Sequence, residues 1–161
     1  LDQQPAQCLA ALSRLTFDTT AEQRPRWSPD GRQVTYVVDG LTLHQRRADG
    51  TGTDEALLTL PVPVLDGAWS RDGRWLLARV GGLAGVSGTR DIVGMRPGVD
   101  TAPVGLAAKP AFDEAAPALS PDGKWLAYES DETGRPVLDA EIGDAVRLTR
   151  GGEVVNGRLT G

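Results

Sequence analysis

Arg26-Trp27-Ser28-Pro29-Asp30-Gly31-Arg32-Gln33-Val34-Thr35-Tyr36-Val37 recurs twice more along this chain, and no other feature restricts its fold as much. The second copy is Ala68-Trp69-Ser70-Arg71-Asp72-Gly73-Arg74-Trp75-Leu76-Leu77-Ala78-Arg79. The third is Ala118-Leu119-Ser120-Pro121-Asp122-Gly123-Lys124-Trp125-Leu126-Ala127-Tyr128-Glu129. Each copy has the chemistry of a tight hairpin. Ser28, Ser70 and Ser120 suit the first position of a type I turn, and proline presets φ at the second. Asp30, Asp72 and Asp122 tolerate the third position, and Gly31, Gly73 and Gly123 take the positive φ that follows. A type I turn closed by a left-handed glycine makes a short hairpin with a bulge, so the apolar residues on either side become paired strands. Arg71 stands where the other copies have proline, which loses a preference but keeps the Asp-Gly corner.

The three serines lie 42 and 50 residues apart, the period of a four-stranded propeller blade rather than of a helical solenoid. Glycine at 20 and proline at 11 of 161 residues fit a turn-rich β protein. The reading is therefore all-β: one propeller-type domain over 1–161, with four-stranded antiparallel blades. Residues 1–18 form a leading strand region, with a strand at Ser13 to Asp18. The first blade, 25–60, has strands Pro25 to Ser28, Gln33 to Val38, Leu41 to Arg46 and Glu55 to Leu60. The second, 65–107, has Leu65 to Ser70, Trp75 to Val80, Asp91 to Arg96 and Ala102 to Ala107. The third, 115–149, starts at Ala115 and continues with Trp125 to Ser130, Val137 to Ile142 and Ala145 to Thr149. Residues 153–161 open a further blade.

Propellers close with about 4–8 blades, and three alone leave an apolar face at each end. Three arrangements relieve this: the chain is part of a larger ring, several chains complete one, or the chain ends build a fourth blade. In the last case Glu153 to Thr160 turns at Asn156-Gly157 and pairs with strands from Leu9 to Phe17.

The net charge of −5 argues against a nucleic-acid partner, which needs a concentrated basic surface. Cys8 is the only cysteine, so no disulfide forms within the chain. No run approaches the roughly 18 apolar residues of a membrane span. The opening Leu1-Asp2-Gln3-Gln4-Pro5 has neither a basic nor an apolar signal region, so the sequence is expected to begin inside something larger or to have been processed.

The repeated Trp-Ser-Pro-Asp-Gly-Arg resembles the WD-like repeats of TolB-type β-propellers over nearly the whole chain. Arg14-Leu15-Thr16-Phe17-Asp18 with the first motif, and Phe112-Asp113-Glu114-Ala115-Ala116-Pro117 leading to Glu129 through Arg135, look like the propeller region of certain bacterial serine/threonine protein kinases. That resemblance implies an extracytoplasmic sensing or protein-binding module, in the periplasm or at the cell surface. The same turn motif is shared by periplasmic TolB proteins and by propeller domains of prolyl-oligopeptidase-type peptidases, so it does not fix function. Leu119 replaces the motif tryptophan, and no glycine-rich nucleotide loop or His-Arg-Asp sequence of a kinase core is present.

Catalytic chemistry finds little support in these residues. His44 is the only histidine, which argues against a transition-metal site, and Gly85-Val86-Ser87-Gly88-Thr89 lacks the second glycine of a nucleophile elbow. Gly81 to Gly88 lacks the Gly-Lys-Ser/Thr of a phosphate loop. Asp49 to Glu55 crowds oxygen ligands together but misses the EF-hand spacing. The sequence reading is accordingly a protein with no catalytic residues, no cofactor and no metal. It expects a non-catalytic module that binds a protein or peptide, including further copies of itself, through loops on one face. The candidate binding residues there are Asp113, Glu114, Asp131 and Glu132, with Arg90 and Arg135 as polar anchors or structural ion-pair members. The alternatives are a self-associating assembly of incomplete propellers, or the accessory propeller of a kinase or peptidase whose catalytic domain lies outside these residues.

Overall fold

The computed structural model describes residues 13–82, 89–122, 125–131, 145–148 and 154–157. Those residues form twelve strands in three four-stranded antiparallel sheets. The first sheet runs β1 (Glu22–Trp27), β2 (Gln33–Val38), β3 (Thr42–Arg47), β4 (Glu55–Thr59). The second runs β5 (Val64–Trp69), β6 (Leu76–Gly81), β7 (Arg90–Met95), β8 (Val104–Ala107). The third runs β9 (Glu114–Leu119), β10 (Trp125–Ser130), β11 (Ala145–Leu148), β12 (Val154–Gly157).

The repeated corner joins the first strand of each sheet to the second. The Ser28 hydroxyl donates to Asp30 Oδ1 (2.6 Å) and accepts the Gln33 amide (2.9 Å). The Ser28 amide donates to the Gln33 carbonyl (2.9 Å), and Asp30 Oδ1 also accepts the Arg32 amide (3.0 Å). The second copy repeats these bonds: Ser70 to Asp72 at 2.7 Å, Trp75 to Ser70 Oγ at 2.9 Å, and Arg74 to Asp72 at 3.1 Å. In the third, Ser120 donates to Asp122 at 2.6 Å and accepts from Trp125 at 3.0 Å. Gly31 and Gly73 adopt φ of 68° and 70°, the left-handed conformation that a side chain would strain. Asp therefore does more than tolerate its position. It ties the serine hydroxyl to the backbone and fixes the register of both strands.

Alternation along each second strand then divides the apolar residues between two seams. Leu76, Ala78 and Val80 of β6 join Val37, Leu43, Leu58, Val64 and Met95 in a buried cluster between the first and second sheets. On the opposite face Leu77, Ile92, Leu106 and Ala107 meet Leu126 and Tyr128 of the third sheet. Each fully buried Leu, Ile or Val side chain contributes roughly 1.5–3 kcal/mol, so these seams hold the sheets together. First strands of neighbouring sheets touch, β1 against β5, while β5 also packs on β2 and β3.

One contact recurs across the seams. Trp69, at the end of β5, donates its indole N–H to Thr35 Oγ1 of β2 (2.8 Å), and Thr35 is 1% exposed. Leu119 occupies the same place on β9 and packs on the cluster containing Leu77, the counterpart of Thr35. Trp27 is the third member of the series, yet it is 64% exposed. Among the described residues no preceding sheet covers it.

The structure alters several details. Ser13 to Asp18 is not a strand: Arg14 turns back to the Thr16 carbonyl (2.6 Å) and stacks on Phe17, while Thr16 bonds Glu22. With its polar groups engaged locally, this segment joins no sheet. β1 starts at Glu22, ahead of the expected Pro25. Ala145–Leu148, expected as an outermost strand, lies beside β10 as the third. Val154–Gly157, expected to open a further blade or to turn at Asn156-Gly157, pairs along its length with β11 as the fourth. The hairpin closing on Leu9 to Phe17 is thus replaced by a ladder within the third sheet. The expected strand Val137 to Ile142 lies outside the described residues.

The two tryptophans separate the packing contribution from the motif itself. Trp69→Ala should lower unfolding free energy by about 2–4 kcal/mol through lost packing and the unpaired Thr35 hydroxyl, whereas Trp27→Ala should stay within about 0.5 kcal/mol. Urea titration of both variants measures the difference.

Candidate functional site

The loops that link one sheet to the next, and the second strand to the third, converge at the end of the seam between the second and third sheets. Arg90 is the first residue of β7, Glu114 the first of β9, Asp113 precedes it, and Asp131 follows β10. Asp113 Oδ1 accepts the backbone amides of Thr89 and Arg90 (3.0 Å each). Its other oxygen accepts the Arg90 guanidinium at 2.9 Å. The Asp113 amide in turn donates to Asp131 Oδ1 (2.8 Å). Arg90 and the neighbouring amides hold the Asp113 carboxyl down at about 2. Three of the six candidate residues therefore form one connected cluster.

The repeat explains how this cluster arises. Ala21 and Asp39 occupy the same places in the first sheet as Asp113 and Asp131 in the third, and the Ala21 amide likewise donates to Asp39 Oδ1 (3.2 Å). In the second sheet the Gly81 amide donates to the Pro63 carbonyl (2.8 Å) at the corresponding positions. What the third sheet adds is a carboxylate at 113, which reaches across to Arg90.

Glu114 is completely buried, and neither carboxylate oxygen has a hydrogen-bond partner among the described residues. Its counterpart in the second sheet is Val64, 1% exposed within the first seam's core. Burial pushes the Glu114 carboxyl up to about 7, and the nearby Asp91 charge adds to this, while Lys109 opposes it. Burial and Asp113 also raise Asp91. Arg79 stands where the first sheet has Val37, so two positions that are valine in the first seam carry charge in the second.

Glu114, expected as a binding residue on the loop face, is buried within the fold, and Arg90 spends its guanidinium on an ion pair. Glu132 and Arg135 lie outside the described residues. Sequence reasoning missed Asp91, whose only signal was an acid at the start of an apolar strand. It also missed a cluster on the first sheet: Tyr36 donates to Asp54 Oδ1 (2.5 Å), with His44 Nδ1 3.4 Å from Oδ2 and Arg46 3.6 Å from Oδ1. Burial and Asp54 raise the Tyr36 phenol above its usual range. Asp49, in the loop crowded with oxygens, bonds Arg47 and Thr51 instead. Among the described residues no group of three or more His, Cys, Asp or Glu side chains is placed to hold a metal. No helix among them is long and apolar enough to cross a membrane.

Glu114 has a pH signature. Its carboxyl is raised from 4.5 to about 7, so the folded state holds an extra proton between those values. Stability from this group is full below pH 4.5 and is lost as pH rises through 7, on the order of 3 kcal/mol. Glu114→Gln should flatten that slope and be more stable than wild type at pH 8, as read by urea midpoints across pH. Asp113 acts oppositely, losing its contribution as pH falls from near 4 to about 2.

No family model matches the chain. An alignment of 151 residues, covering 70% of the chain, is 28% identical to a protein of Bacillus subtilis (strain 168) named uncharacterized peptidase YuxL. The match spans 23% of that protein, so the chain corresponds to about a quarter of its relative. This likeness to a protein named as a peptidase overturns the sequence expectation that the chain is not enzymatic. Among solved structures, the tricorn protease superposes with a TM-score of 0.60 at 13% identity, over 81% of this chain and 14% of that one. A prolyl endopeptidase gives 0.58 at 15%, over 87% and 22%. A putative 6-phosphogluconolactonase from Bacteroides uniformis gives 0.56 at 14%, over 88% and 40%. At these identities the likeness speaks for fold alone, and it agrees with the sheets: the chain folds as part of a β-propeller, each four-stranded sheet being one blade.

Proposed function

We propose that this chain is the propeller module of a peptidase-type protein, receiving peptide for a catalytic unit carried elsewhere in that protein. The observation that carries the reading is the likeness to YuxL, which extends over most of the chain and only 23% of the relative. The fold supports it: rigid stacked blades hold loops and clefts in fixed geometry, as binding requires. The ion-paired cluster of Arg90, Asp113 and Asp131 serves this role by pinning the loops at the second seam.

The coding sequence on either side of these residues tests the reading. A peptidase catalytic sequence in the same open reading frame, and hydrolysis of short peptides by the full-length protein, are the expected results. A protein-kinase catalytic core there, or a full-length product inert toward peptides, overturns it.

A second reading, self-association, is favoured by Trp27, which is exposed where its counterpart Trp69 is seated on a neighbouring blade. Ultracentrifugation at micromolar concentration should then show assemblies that Trp27→Arg dissolves. A folded wild-type monomer ends that reading.

A further inference from the structure

At the hairpin corner of the second sheet, Arg71 breaks the repeat: Pro29 and Pro121 hold the same position in the other two corners. Proline favours this turn position through its fixed φ, so the arginine gives up that local preference. The neighbouring corner residue Arg74 pairs with Asp72 (2.6 Å). Arg71 has no hydrogen-bond or ion-pair partner among the described residues. The acids closest in sequence do not neutralise it, because Asp72 is held by Ser70, the Arg74 amide and the Arg74 guanidinium. Those same bonds keep the Asp72 carboxyl low, at about 2.

This cation stands at the edge of two clefts. One, of about 300 Å³, lies between the second and third sheets, and its apolar wall is Trp69, Leu77, Pro117, Leu119 and Pro121. The other, of about 420 Å³, lies between the first two sheets beside Gln33 and Gln45. Gln45 is nine-tenths buried, and its side-chain oxygen has no hydrogen-bond partner among the described residues. A small apolar cleft with a charge at its rim has the composition of a ligand site. An unpaired guanidinium matches a carboxylate in geometry and charge. The apolar wall takes an aliphatic or proline side chain.

We propose that the Arg71 cleft binds a peptide segment in which a carboxylate lies beside an apolar residue, with Arg71 pairing the carboxylate and the Trp69–Leu119 wall holding the apolar side chain. The choice of peptide over a free organic acid rests on the peptidase-module reading above, and the site sits at the hairpin corners rather than among the sheet-linking loops.

The test titrates the folded chain with three acetylated tetrapeptides and follows the Trp69 indole N–H and the Arg71 Nε–H by NMR. The first ends in Pro-Leu with a free carboxyl terminus, the second is its C-terminal amide, and the third is an amide carrying Asp before Leu-Pro. Binding of the first alone assigns a chain terminus, and binding of the third assigns an acidic side chain. Either supports the proposal if affinity falls as salt rises from 50 to 500 mM (chosen to span screening, about 10 Å at 0.1 M). Arg71→Pro restores the residue of the other corners, so it should keep the fold and weaken binding at least tenfold. Unchanged affinity in a folded Arg71→Pro protein overturns the proposal, as does silence of both resonances toward all three peptides at millimolar concentration. Acetate or isovalerate binding as well as the peptides do would overturn the peptide assignment. Peptide binding through Arg71 in a protein whose full-length form hydrolyses no peptide would sink the peptidase reading and leave this site standing.

Discussion

Every sheet in this protein depends on a hydroxyl that serves two partners. Ser28, Ser70 and Ser120 each give a proton to the aspartate two residues on and take one from the amide five residues on. A serine amide that also bonds the carbonyl of that fifth residue closes the corner. The corner sets strand register, and register decides which face each apolar residue enters. A slip of one residue at the second corner would send Leu76 and Leu77 to each other's seams. Three short hairpins of this kind have no independent stability, so their apolar faces must be covered by one another.

The two seams solve that problem differently. The first has a continuous apolar cluster of Val37, Leu43, Val64, Leu76 and Val80 and is polar toward its corner end, where Trp69 bonds the buried Thr35. The second keeps an apolar middle in Leu77, Ile92 and Leu126 but is polar at its loop end, where Glu114 replaces a valine and Arg90 clasps Asp113. Desolvating Glu114 without a partner costs stability near neutral pH, while the Arg90–Asp113 pair, with two amides added, offsets part of that cost. The polar end of this seam, where Asp113 stands for Ala21 and Pro63, and the charged corner at Arg71 are two of the places where one repeat differs from its sisters. Both carry charge where a sister repeat has an apolar residue or proline, and both are local departures on an otherwise regular scaffold.

The blade layout was legible because its signals are local. Ser-Pro-Asp-Gly fixes a turn through its own backbone, and alternation in Gln33–Val38 and Leu76–Gly81 fixes the strands beside it. Where local signals failed, a distant partner decided. Ser13 to Asp18 has strand-like residues, yet it finds its bonds in Glu22 and in itself. Asn156-Gly157 is strong turn chemistry, yet pairing with Ala145 and Val146 draws it into a strand. The candidate cluster was half legible: Arg90, Asp113 and Asp131 do meet, but nothing in the order of residues distinguishes the half-buried, ion-paired guanidinium of Arg90 from the enclosed carboxylate of Glu114. Asp91 and the Tyr36–Asp54 pair escaped because both depend on neighbouring strands.

By itself the sequence determined that hairpin corners recur at blade-like intervals, and hence that the chain builds small antiparallel sheets with two apolar faces. Those outcomes need only turn geometry and a period of two, which act between residues near in the chain. Tertiary structure alone decided which indole is seated and which is bare, which acid is buried and which is paired, and that Arg71 faces two clefts with no partner among the described residues. These depend on what the next sheet presents at the point of contact, and stacking distance, not sequence distance, sets that.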